Sequence, residues 1–90
     1  MWIVELAFTG APERLAARAD HRRRLTALHA DGLVRMAGPF ADDNGAMILV
    51  DTADRQTVDD LIAADPYFGT PGVSVTRIRQ WSPFLGAPSR

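Results

Sequence analysis

The stretch LVRMAGPFADDNGAMILVD, residues 33–51, decides the fold. LVRMAG reads as a strand closed by a Gly38-Pro39 turn, and FADDNG is a loop rich in turn-forming residues. AMILVD has the composition of a buried strand. Two strands in succession with no helix between them must be placed by what flanks them. Upstream, WIVELAF alternates, with Trp2, Val4, Leu6 and Phe8 on one side and Ile3, Glu5 and Ala7 on the other, which is a strand. A helix follows from Pro12 to about Asp31, where Gly32 supplies the stop. Downstream, Asp54 starts a second helix through Ala64, with Val58, Leu61 and Ile62 inward. The residue before Pro66 is pushed out of the α region, so DPYFGTPG leaves the helix. VSVTRIRQW is the fourth strand.

The order β-α-β-β-α-β is the ferredoxin-like split pattern. It predicts an α+β fold in which both helices cover one face of a four-stranded antiparallel sheet. Residues 1–82 form the domain and residues 83–90 a Pro-rich tail. Strands two and three carry apolar residues on both sides, Val34 with Met36 and Met47 with Leu49, and Ile3 and Ala7 add to the uncovered face. A sheet apolar on both faces wants a second cover, which a homodimer joined through the sheet supplies. By simple alternation Arg77 and Arg79 share a face with Val73 and Val75, as a solvated rim or as an anchor for a substrate carboxylate.

Ninety residues suffice for one domain, and a chain this size buries roughly 60–65% of its unfolded surface. The 47% hydrophobic content fits a globular protein. A net charge of −1 argues against a nucleic-acid binder. All ten basic residues are Arg, and there is no cysteine, hence no disulfide, thiolate nucleophile or Cys-based zinc site. MWIVELAF is short, contains Glu5 and lacks a positive leader, so it reads as neither signal peptide nor membrane span, and a cytoplasmic protein is expected.

In RADHRRRLTALHADG, residues 18–32, His21 falls in line with Leu25 and Leu28 on the face meant for the core. It is either a buried imidazole with a partner or a pocket residue that does chemistry. Asp65 directly follows the second helix, and in this topology the helices lie side by side, so its carboxylate can reach that imidazole. Such a pair fixes the histidine tautomer and stabilises the imidazolium, as general acid–base catalysis requires. The plainer reading of Asp65 is a turn former ahead of Pro66. Gly38 and Pro39 make a sheet-edge turn that doubles as a pocket wall, and Tyr67 and Phe68 are core or pocket lining. His29, beside Asp31 and Gly32, complements the helix C-terminus. No ligand spacing for a metal is present.

The histidine on the first helix, LxxLHADG running into AGPF, then GAMILV and above all AADPY together resemble the YciI-like (YCII) family from Val4 to about Trp81. The resemblance implies a dimeric ferredoxin-like fold and an active site built on a histidine and an aspartate, which map onto His21 and Asp65. Some relatives are linked to elimination chemistry on chlorinated aromatics, and the wider dimeric α/β-barrel group contains small isomerases and oxygenases that work without metals. The Arg22–Arg24 run and the tail after Trp81 depart from the family pattern.

The expected function is therefore a small enzyme, free of metal and cofactor, doing His/Asp acid–base chemistry of lyase, isomerase or cyclase type on a small organic molecule. The alternative is a non-catalytic small-molecule-binding or regulatory module. No serine elbow, phosphate loop or dinucleotide fingerprint appears. RNA recognition on this topology needs stacking aromatics on the third strand, and AMILVD has none.

Overall fold

A computed structural model describes residues 1–86. The chain forms β1 (Trp2–Phe8), α1 (Pro12–Ala30), β2 (Val34–Pro39), β3 (Gly45–Val50), α2 (Arg55–Ala64), one 3-10 turn (Pro66–Gly69) and β4 (Val73–Gln80). The strands lie in the order β2-β3-β1-β4, every neighbouring pair antiparallel. This is the ferredoxin-like α+β arrangement that the element order predicts. Residues 83–86 of the expected tail have no regular structure, and residues 87–90 lie outside the described residues. Among the described residues no helix is long and apolar enough to cross a membrane.

Local chemistry fixes the helix ends. Gly32 takes φ +86°, and its N–H and that of Leu33 donate back to His29 and Leu28, closing α1 with a Schellman turn. Asp54 caps α2 by accepting from the Gln56 N–H. The core forms where one sheet face meets the helices. Val4, Leu6, Ile48 and Val50 from the central strands pack with Val34, Val58 and Leu61, all buried, each contributing about 1.5–3 kcal/mol. Leu25, Leu28 and Ile62 pack against this cluster.

Two irregularities change which residues face which way. Arg35 is an extra residue in β2, between Val34 paired with Val50 and Met36 paired with Leu49. Val34 therefore points into the core, while Met36 is 68% exposed. A second register shift sits opposite Glu5 and Leu6, where Thr76 is the unpaired residue of β4. Val73 and Val75 pair with Phe8 and Leu6 on the core side, and Arg77 and Arg79 pair with Glu5 and Ile3 on the outer side. The shared face predicted for the two valines and two arginines is thus wrong, because a bulge flips the alternation. The Gly38-Pro39 turn is also not formed. Both residues continue β2, opposite Met47 and Ala46, and the reversal comes later, at residues 40–44. Pro39 is tolerated because β2 is an edge strand, where a missing N–H need not break the ladder.

Candidate active site

Pro66 ends α2 at Ala64 and leaves Asp65 extended, at φ −109° and ψ 111°. Its carboxylate then serves two elements. Oδ1 accepts the Tyr67 N–H at 3.0 Å, which starts the 3-10 turn. Oδ2 lies 2.6 Å from Nδ1 of His21, 44 residues away on α1. Both side chains are buried, at 7% and 6% exposure for His21 and Asp65. A carboxylate only accepts, so Nδ1 carries the proton and donates it in a short, charge-assisted bond. The imidazole is further held by Tyr67, stacked at 4.0 Å and 12° between planes, and by Phe68, edge-on at 5.5 Å.

The His21 ring forms part of the wall of a cavity of about 570 Å³ between α1 and β2. Among the described residues the only buried side-chain polar atom without a partner is Nε of Arg14. Nε2 of His21, which bonds to no protein group, is therefore not sealed in the interior. It is the ring nitrogen left to meet a ligand.

The predicted site residues divide. His21 and Asp65 come together as the helix packing requires, although Asp65 stands behind the ring and does not line the cavity. Tyr67 lines it. Phe68 does not, and supports the imidazole from the core side instead. Gly38 and Pro39 line the opposite wall, as strand residues rather than as a turn. His29 is exposed in the last turn of α1 and donates Nδ1–H to the Val34 carbonyl at 2.8 Å, tying the helix end to β2. Among the described residues no three His, Cys, Asp or Glu side chains converge as a metal ion needs.

Charge around the cavity is uneven. Of the Arg22–Arg24 run only Arg22 reaches the cavity. Arg24 and Arg23 bind Asp20, and their hydrogen bonds hold its carboxyl below the usual carboxylate range. Arg24 also donates to the carbonyl of Ala64, bridging α1 to the end of α2 just before Asp65. Sequence reasoning missed Arg14 and Arg18, both on the cavity wall. Arg14 is 6% exposed, its guanidinium 4.3 Å above the Phe8 ring and 3.9 Å from Asp43. Helical phase was the available signal, since positions 14, 18, 21 and 25 share one face.

The YCII-related domain family matches residues 2–82. No curated protein matches the sequence. Among solved structures, 5-chloro-2-hydroxyhydroquinone dehydrochlorinase (TftG) from Burkholderia phenoliruptrix AC1100, in complex with 2,5-dihydroxybenzoquinone, is similar over 91% of this chain and 94% of that one. The TM-score is 0.62 and the sequence identity 14%, a likeness of fold.

Proposed function

The chain belongs to the YCII-related domain family, and from that premise we propose that it is a small enzyme moving a proton on a small organic molecule. His21 is the acid–base group, and Asp65 positions it. The observation that carries the reading is the 2.6 Å contact between Nδ1 of His21 and Oδ2 of Asp65, set against the wall of a 570 Å³ cavity. With Nδ1–H engaged by the carboxylate, the Nε2 lone pair is free to take a proton from a substrate carbon. The imidazolium then gains from the Asp65 charge behind it. Returning the proton to another atom of the same molecule completes an isomerisation. Loss of an anionic leaving group from the adjacent carbon completes an elimination, with the electron pair of the broken C–H bond forming the new double bond. The elimination reading is favoured by the fold neighbour, whose name states removal of chloride from a ring. Tyr67 and Phe68 keep the imidazole in one orientation, and Gly38 and Pro39 shape the wall opposite.

The working unit of the same proposal is a pair of chains in the cytoplasm, joined through the outer face of the sheet. Ile3, Leu49 and Met36 form an apolar row across β1, β3 and β2, and Met47 extends it.

The test is solvent deuterium exchange into activated carbon acids, with chloride release from chlorinated hydroquinones measured in parallel. The expected result is turnover by the native chain and a loss of about 10²–10⁴-fold in kcat for His21→Asn. Unchanged turnover in that variant overturns the proposal. Ligand binding without turnover in the native chain, lost in His21→Asn, assigns the protein to the non-catalytic binding modules instead.

A further inference from the structure

We propose that Arg14 anchors a planar oxyanion on the substrate, a carboxylate or an equally delocalised oxygen anion, so that the cavity takes small organic anions. The inference rests on the enzymatic reading of the cavity and names its substrate class. A guanidinium carries five N–H donors and keeps its charge at any physiological pH. The Arg14 side chain is only 8% exposed and makes no hydrogen bond; its Nε is sealed in the interior, while its Nη nitrogens are not and belong to the cavity wall. A guanidinium this buried that makes no hydrogen bond costs stability, and a ligand that reaches its Nη nitrogens offsets that cost. The two contacts present offset only part of that cost. The Phe8 ring offers its face, and Asp43 approaches Nη2 at 3.9 Å, beyond hydrogen-bond length, from a carboxylate that is itself 60% exposed. A carboxylate seated end-on against the two Nη nitrogens makes the fork.

The surroundings select an anion with its reacting carbon some way from the charge. Four arginines line the cavity, Arg14, Arg18, Arg22 and Arg35, against Asp43 as the single acid. Arg35 is paired with Asp51, so the net positive field comes from α1. Arg14 and His21 lie two helical turns apart on one face, about 10 Å along the axis. Between them the wall is aromatic. Phe8, beneath the guanidinium, meets Tyr67 edge-on at 6.2 Å, and Tyr67 stacks on His21. A molecule with its anion on Arg14 lies along these rings and brings a carbon to Nε2.

The experiment is an NMR titration of the full chain with benzoate and with benzamide, its neutral counterpart of the same size. Benzoate is expected to shift the amide signals of Arg14 and His21 and to bind at least about tenfold tighter than benzamide. Arg14→Met keeps a stem on Phe8 without the charge. It is expected to abolish the preference while leaving Tm unchanged or higher, because a buried charge is gone. Arg14→Lys restores part of the preference, and Arg77→Gln on the outer sheet face leaves it intact. Equal binding of the two probes by the native chain overturns the proposal. So does a preference that survives Arg14→Met, or a Tm loss in Arg14→Met that Arg14→Lys repairs without regaining benzoate selectivity. His21→Asn separates this proposal from the acid–base reading. Turnover lost with the benzoate preference kept upholds both, and turnover lost in a protein that never preferred benzoate leaves only the acid–base reading standing.

Discussion

Asp65 and His21 illustrate how differently single residues disclose themselves. His21 was legible because a polar ring at helical spacing from Leu25 and Leu28 breaks an apolar stripe. Asp65 reads locally as a turn former, and only the topology, which sets the two helices side by side, brings its carboxylate within reach of the ring. Nothing within a few residues of it signals that a second oxygen is spoken for by a side chain 44 positions away. The double use gives a sharp expectation for Asp65→Asn. The amide oxygen can still accept the Tyr67 N–H, so the 3-10 turn survives, but the amide nitrogen now faces Nδ1 and donates to it. That forces the proton onto Nε2 and removes the lone pair proposed as the base. We expect kcat to fall by about 10²–10⁴-fold with KM nearly unchanged, and the His21 ring ¹⁵N shifts to report the other tautomer. A variant that stays active with Nε2 protonated would remove Asp65 from the mechanism. Arg14 escaped notice because an arginine after Pro12 and Glu13 reads as an exposed first turn, and nothing in the pattern shows that the helix folds its guanidinium back over Phe8, at the end of the preceding strand.

At the scale of elements, existence and order were readable and facing was not. Strand and helix periods identify all six regular elements, and Gly32, Asp54 and Pro66 mark ends that hold in three dimensions. A bulge adds one residue to a strand without altering its composition, so neither Arg35 nor Thr76 announces the shift it causes. The same blindness misplaced the turn at Gly38 and Pro39, where residue type suggested reversal and edge position allowed extension. One element-level constraint is testable directly. A Cβ on Gly45 would collide with the backbone carbonyl oxygen of Leu6, at the last pair of the β1–β3 ladder. Neither backbone can yield without breaking the central ladder. Gly45→Ala is expected to cost about 1–3 kcal/mol and to lower Tm by roughly 5–20 °C in a thermal melt. A melt within a degree or two of the native one would show that the sheet accommodates the methyl.

For the whole molecule, the outer sheet face is where composition and architecture disagree with a lone chain in water. Met36 is 68% exposed at the end of an apolar row that runs through Leu49 to Ile3. Our expectation is that the native chain sediments as a dimer and that Met36→Glu shifts it toward monomer, without changing the His21 to Asp65 geometry reported by ring ¹⁵N shifts. A native chain that sediments as a monomer at high concentration would leave this face without its proposed cover. The division of the site along the chain carries one more consequence. On the proposed function, the ring that handles the proton belongs to the first fifty residues and the acid that orients it to the remainder, while β4 is held to β1 by an antiparallel ladder. Severing the exposed link at Ala53 would therefore yield two inert pieces, each with half the machinery. Fragment complementation would restore turnover only when the second piece zips on as an edge strand, making activity itself a readout of docking.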